Sequence, residues 1–281
     1  MTEKSTLNAS LWMLGWFASM LLMTVSGREA TQDLQVNMLM FFRSAIGLAI
    51  LLPIAAWIGF SHLKTGQLKG HAIRNSIHFG AQFSWFMALS LIPLAQVISI
   101  EFTMPIWAAV IAAFYLGEKI SKTRLLAIVL GFLGILIIVR PGFAAFDAGQ
   151  GWALASAFGF AASVVLTKRL LEKDSAFTTL FYMIAIQLVL GSVLAVFFWQ
   201  WPSAQAWPWV FGAAIAGLTS HYCLARALNV ADASFVAQLD FARVPLTVLL
   251  GYWLYSEGVD VFLIAGAGLI MLGNMINLRR V

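Results

Sequence analysis

Apolar residues run along this chain in blocks of about twenty, separated by short polar turns. About twenty residues is the length a helix needs to cross the hydrocarbon of a bilayer. Ten such blocks lie near Leu7 to Ser26, Val36 to Gly59, Ile73 to Leu91, Ala95 to Leu116, Arg124 to Val139, Trp152 to Thr167, Thr178 to Trp199, Trp207 to Asn229, Ser234 to Tyr255 and Val261 to Asn277. The turns leave no room for a separate soluble domain. The pattern predicts an all-α membrane protein with ten transmembrane helices.

The pattern also repeats. The stretch from Ala88 to Glu118 returns in weaker form from Ala227 to Glu257, about 139 residues later. Ala88 then meets Ala227, Val97 meets Val236, Glu101 meets Asp240, Phe102 meets Phe241 and Glu118 meets Glu257. Pro105 corresponds to Pro245, with one extra residue before Pro245 that is lost again before Glu257, and Leu133-Gly134 corresponds to Leu272-Gly273. The chain therefore divides into two five-helix repeats, residues 1–142 and 148–281. Five is odd, so the second repeat enters the membrane from the opposite side and the repeats are inverted. Chains built this way hold their substrate near the bilayer midplane and alternate access by rocking one part against the other.

Composition and charge sharpen this picture. Hydrophobic residues make up 61% and charged residues 10% of the 281, with a mean hydropathy of +0.88. The net charge of +5 would suggest nucleic acid in a soluble protein. Here Lys4, Lys64, Lys69, Arg74, Lys119, Lys122, Arg124, Lys168, Arg169, Lys173, Arg226, Arg279 and Arg280 fall on one set of turns, against Arg28 and Arg140 on the other. That bias orients a membrane chain and places both termini in the cytoplasm; it is no nucleic-acid surface. The uncharged stretch Trp199 to Trp209, with Pro202 and Pro208, suits an outer interfacial turn. Leu7 to Ser26 is too long for a signal-peptide core. The single cysteine, Cys223, rules out an intrachain disulfide framework. No His, Cys or carboxylate cluster has metal-ligand spacing, no GxxxxGK[ST] loop is present, and no nucleophile has a matched base. An enzyme, a metal and a cofactor are not expected.

Four ionisable residues fall well inside the blocks: Arg43, Glu101, Asp240 and Arg243. A charge at mid-helix costs roughly 2.5 to 3.5 kcal/mol on insertion scales, so such groups face a cavity or each other. In one reading Glu101 and Asp240 line the cavity and bind a cationic group or a proton. In the other, Asp240 and Arg243, three apart on one face, form a structural pair while Glu101 pairs with Arg43. The third block carries a stripe of His71, Asn75, His78, Gln82 and Trp85 at helical spacing, and Gln82 corresponds to His221 in the repeat. The stripe either faces the interior or joins helices by hydrogen bonds; His71 is expected at the cytoplasmic surface. The face of Trp12, Trp16, Ser19 and Met23, matched by Trp152, Ser156, Gly159 and Ser163, offers either an aromatic substrate wall or packing and interfacial anchors. Pro105 and Pro245 lie mid-block and predict kinks, either gating or static. Ala155 with Gly159 and Ala213 with Gly217 have the spacing of close helix packing. The candidate substrate or coupling residues are thus Trp16, Arg43, His78, Gln82, Trp85, Glu101, His221, Asp240 and Arg243, with Pro105 and Pro245 as candidate gates.

The run ALSLIPLAQVISIEFTMPIWAAVIAAFYLGEKIS, with Pro105 and the loop acid Glu118, the glycine-rich GFLGILIIVRPG, Arg43, and the counterparts through Leu272-Gly273-Asn274 resemble the drug/metabolite transporter superfamily, in its EamA-type ten-helix branch. The resemblance covers essentially the whole chain. It implies a secondary carrier in the bacterial inner membrane, with a small-molecule substrate and the lipid bilayer as partners. A proton is a candidate coupling ion, and monomer and homodimer both stay open. An amino acid or related amphipathic solute, with export favoured on family habit, is the leading expectation; uptake of a vitamin or nucleoside-like cofactor, of riboflavin or S-adenosylmethionine type, is the alternative. The second half departs from the family pattern at Tyr182, which stands opposite Arg43, and in the longer Asp240 to Pro245 spacing.

Overall fold

The structure is a computed structural model, and it describes residues 3–116, 122–140, 147–230, 236, 239–240 and 242–278. Glu118 and Phe241 lie outside the described residues. Within them the regular elements are helices: α1 (Glu3–Ala30), α2 (Val36–Ile58), α3 (Leu68–Leu91), α4 (Leu94–Glu101), α5 (Met104–Leu116), α6 (Lys122–Val139), α7 (Ala148–Leu170), α8 (Ala176–Phe197), α9 (Trp207–Val230), α10 (Arg243–Tyr255) and α11 (Val261–Leu278), with a short 3-10 turn at Phe60–Leu63. Each apolar block holds a helix, and the fourth is divided into α4 and α5. Among the described residues, Leu7–Ala30, Val36–Ile58, Ala148–Thr167 and Ala176–Phe197 are long and apolar enough to cross a membrane. Leu94–Ala108, Leu125–Val139 and Val261–Ile276 are apolar but shorter.

Local chemistry sets the ends. The Asp147 carboxylate accepts from the backbone N–H of Gly149, and the Gln150 side chain reaches back to the Asp147 N–H, so α7 opens on a capping box. Ser175 caps α8 by accepting from the Thr178 N–H. Gly59, at φ 96°, closes α2 in a backbone region that a side chain would strain.

The prolines are where the structure departs from expectation. Pro105 is the second residue of α5 and Pro245 the third of α10, not mid-helix positions. In a first turn the missing N–H is one no helical partner needed, so proline is tolerated there. The fourth block is therefore broken between Glu101 and Met104 rather than bent. The Phe102 carbonyl at the break accepts from Asn274 Nδ2 at 2.7 Å, and Thr103 Oγ1 donates to the Ile100 carbonyl at 2.7 Å. Freed backbone groups in a bilayer need partners of this kind.

Helices from the first half pack on helices from the second. Along α1 and α9 the neighbours are Gly15 with Cys223, Ser19 with Thr219, and Ser26 with Gly212. Along α3 and α7 they are Ala81 with Gly159, His78 with Ser163, and Arg74 with Thr167. Phe41 meets Gly191 and Gly47 meets Ile184 between α2 and α8. Residue numbers rise on one helix as they fall on the other, so each pair is antiparallel. The tightest crossing is α6 on α11, where a Cβ built on Gly134 would stand 2.6 Å from the Gly266 carbonyl oxygen and one on Gly273 2.9 Å from that of Ala127. Backbone cannot step aside, so glycine is required. Large apolar side chains such as Trp57, Val196, Phe197 and Trp253 point outward, more than half exposed, which suits lipid rather than water.

Candidate functional site

The break after α4 brings one charged cluster together. Arg243, at the start of α10, donates from Nη2 to Glu101 Oε1 at 2.9 Å and from Nε to Asp240 Oδ1 at 3.2 Å. The indole of Trp85 on α3 donates to Glu101 Oε2 at 2.8 Å, and the indole of Trp16 on α1 donates to Asp240 Oδ1 at 2.7 Å. The Arg243 guanidinium also lies 5.2 Å from the Phe102 ring centre. One cation serves two carboxylates, so the pairing of Asp240 with Arg243 expected from their spacing is present.

The expected pairing of Glu101 with Arg43 is not present. Arg43, 2% exposed on α2, donates from Nη2 to Gln82 Oε1 at 3.0 Å on α3 and to Gln187 Oε1 at 3.3 Å on α8. No carboxylate stands within ion-pair distance of it among the described residues. The correction follows from register: Gln82 and Trp85 are three apart on one face of α3, so Arg43 meets the amide while Glu101, one turn away, meets the indole. Across from Arg43 lies the bare backbone of Gly217 on α9, where a Cβ would sit 3.9 Å from the guanidinium carbon and 3.9 Å from Met23 Sδ on α1. Five helices converge there.

The α3 stripe faces inward throughout. Its His78 Nδ1 is 3.1 Å from Ser163 Oγ, and its ring centre lies 5.9 Å from that of His221. Arg74, read from sequence as a basic helix end, is buried and donates to Thr167 and to the Asn75 carbonyl oxygen. His71 is not at the surface: it is fully buried, stacks on Tyr182 and sits 2.8 Å from Asp174, whose loop folds over it. Trp12 and Ser19 serve packing, through an edge contact to Tyr222 and a bond to Thr219.

Two polar locks lie at opposite ends of the bundle. At one, Asp174 accepts from Thr65 at 2.7 Å and from Gln67 at 3.2 Å as well as facing His71. At the other, Glu257 takes the Arg28 guanidinium and the Leu94 backbone N–H, the latter at 2.8 Å, so that it caps α4. Gln187 went unread in the sequence, although an amide alone in the apolar α8 is itself a cue, and Arg74 was read only for its charge. A groove of about 420 Å³ opens beside Asn37 and Phe83, about 9 Å along α2 from Arg43.

The model of the EamA-like transporter family matches residues 7–140 and again 147–279. A riboflavin transporter of Vibrio cholerae serotype O1 is 29% identical over 271 residues, covering 95% of this chain and 91% of the relative. An S-adenosylmethionine uptake transporter of Rickettsia conorii is 24% identical, covering 92% and 89%. A pseudopaline exporter of Pseudomonas aeruginosa is 25% identical, covering 87% and 86%. A solved crystal structure with 19% identity superposes at a TM-score of 0.65 over 96% of each chain, a likeness of fold alone. Both family matches, with relatives named as transporters along nearly their whole length, lead to one conclusion: the chain is a transporter, not an enzyme, and belongs to the EamA-like transporter family of the drug/metabolite transporter superfamily.

Proposed function

We propose that the protein is a secondary carrier that takes up a planar, polar metabolite of the vitamin or nucleoside-like cofactor kind across a bacterial inner membrane. The observation that carries this is Arg43, buried where five helices meet and held by two glutamines rather than by a carboxylate. A buried cation without a counter-ion is costly unless a ligand or cavity uses it. The names of the riboflavin and S-adenosylmethionine relatives support the substrate class. Amino-acid export, favoured on sequence alone, has less support: the riboflavin and S-adenosylmethionine relatives are matched over more of the chain than the exporter, and none of the three is named for an amino acid.

Alternating access between two inverted halves, residues 1–142 and 148–281 with both termini in the cytoplasm, is the mechanism we assign. The antiparallel crossing of α6 on α11 supports it, because Gly134 against Gly266 maps onto Gly273 against Ala127 when each residue is exchanged for its repeat partner. In that mechanism the Glu257 lock closes the outer end and the Asp174 lock the inner end, and each opens in turn. A proton gradient would act through Glu101 and Asp240. Proteoliposome uptake of riboflavin and of S-adenosylmethionine, with and without an imposed pH gradient, tests the reading. Saturable uptake of either is the expected result; correctly folded protein that moves neither would remove the substrate class.

A further inference from the structure

The polar groups around Arg43 share a chemical bias. Arginine carries five N–H donors. Nη2 spends its two on Gln82 and Gln187, while Nε and Nη1 have no acceptor among the described residues, although the side chain is 2% exposed. Gln187 gives its carbonyl to Arg43, and its Nε2 is likewise unpaired and buried. Asn75, about two turns before Gln82 on the same face of α3, accepts from Arg74 and leaves Nδ2 unpaired. The glutamine and asparagine oxygens are thus consumed by guanidinium groups, and what these amides and the guanidinium leave over is N–H; among the neighbours on α3, His78 Nε2 is unpaired as well. Each such donor, buried without an acceptor, costs about 1 to 3 kcal/mol. On the α9 side the guanidinium is covered by no side chain: it faces the bare backbone of Gly217, where an added Cβ would already stand in contact with it, 3.9 Å from the guanidinium carbon.

Resting on the carrier reading, we propose that Arg43, Gln187 and the bare backbone of Gly217 form the subsite that reads an acceptor-rich group of the transported molecule, either a carboxylate or the ring carbonyls of a heterocycle. The same arrangement discriminates against a molecule that offers the subsite only a cationic group; S-adenosylmethionine, cationic elsewhere, still brings a carboxylate to it. Gln82 and Gln187 hold the guanidinium plane from two helices, so its free donors are fixed before the ligand arrives and less ordering is lost on binding.

The test is binding to purified protein in nanodiscs, with three probes: riboflavin for ring carbonyls, nicotinate for a carboxylate, and thiamine as a cationic heterocycle with neither. Arg43→Lys keeps the charge but loses the fixed donor set. Gly217→Val sets a side chain against the guanidinium from α9 while leaving the arginine itself unchanged, and unfolding temperature checks that each variant folds. The expected result is tight binding of riboflavin or nicotinate to the parent, none of thiamine, and a rise in Kd of about tenfold or more in both variants. Riboflavin alone bound identifies ring carbonyls as the group read, and nicotinate alone a carboxylate. Equal affinity in the parent and a folded Gly217→Val and Arg43→Lys overturns the subsite while leaving the carrier reading intact, as does preference for thiamine. Proteoliposome flux of the same probes through the parent reports the carrier reading separately.

Discussion

Arg243 and Glu101 form an ion pair of 2.9 Å between residues 142 positions apart, and both side chains are less than a tenth exposed. The same guanidinium also takes Asp240, the position equivalent to Glu101 in the other repeat. Two equivalent carboxylates are therefore bound to a single cation, and the symmetry of the sequence is broken at its centre. Their other partners differ as well, an indole from α3 for Glu101 and an indole from α1 for Asp240.

This sharing predicts unequal costs for substitution. Glu101→Gln leaves Arg243 balanced by Asp240 and keeps an acceptor for the Trp85 indole, so a loss of roughly 1 kcal/mol is expected. Arg243→Met leaves a buried carboxylate, Glu101, and a half-buried one, Asp240, without their shared cation, and the expected loss is about 3 kcal/mol. Unfolding of the two variants in matched detergent orders them. Equal destabilisation would mean that the shared cation is not what holds the cluster.

The helices were legible because apolar blocks and the repeat are properties of the chain in one dimension. Asp240 with Arg243 was legible because two residues three positions apart stay within reach of each other even though α10 starts only at Arg243. The pairing of Glu101 was misread because partners on different helices depend on how each helix is rotated and how far it slides, and one turn of α3 separates Gln82 from Trp85. His71 was misplaced because its burial comes from the path of the Asp174 loop, which no periodicity records. Both prolines were seen but taken for kinks, since an unbroken apolar run hides the helix start beneath it.

The α6 and α11 crossing predicts a sharp contrast within one helix. Gly266→Ala pushes a methyl against the Gly134 carbonyl, 2.6 Å away, and overpacking of that kind costs about 1 to 3 kcal/mol. Gly268→Ala, two residues on, meets nothing within 4 Å and removes a helix-weakening glycine. Unfolding temperatures should fall for the first and hold or rise for the second. A loss at both would point to general intolerance in α11 instead of backbone contact.

The Glu257 lock depends on a glycine as much as on the acid. Ser256 turns the chain at φ 52°, and the Glu257 carboxylate then lies over Gly251, where a Cβ would come within 2.5 Å of Oε2. Gly251→Ala should displace the carboxylate from the Leu94 N–H and Arg28, with a cost near that of a lost helix cap, about 1 kcal/mol. Because both changes remove one interaction, Gly251→Ala with Glu257→Gln should cost little more than either alone. A double-mutant cycle measures this, and full additivity would show that Gly251 matters for some other contact.

At the opposite end, Asp174 ties the 62–71 segment to the loop after α7. Partial burial pushes its carboxyl up, but hydrogen bonds from Thr65 and His71, the charge of His71 and a bond from Gln67 outweigh that and hold it below the ordinary carboxylate value. The sign follows from linkage. A carboxyl with a depressed folded value adds stability that is complete above its unfolded value of about 3.9 and is lost as pH falls through the lower folded value. The part of the hydrogen-exchange protection in 62–71 that the Asp174 carboxylate supplies, read as the difference between the parent and Asp174→Asn, should therefore be complete above about pH 5 and fall below about pH 4. Asp174→Asn removes the charge the three donors converge on, and at pH 7 should exchange about tenfold faster in this segment, the equivalent of about 1.4 kcal/mol. That gap should close in acid, where the parent carboxylate is itself protonated. If Asp174→Asn is as protected as the parent at pH 7, the lock is held by the neighbouring Tyr182 contacts to Leu63 and His71 and not by the carboxylate.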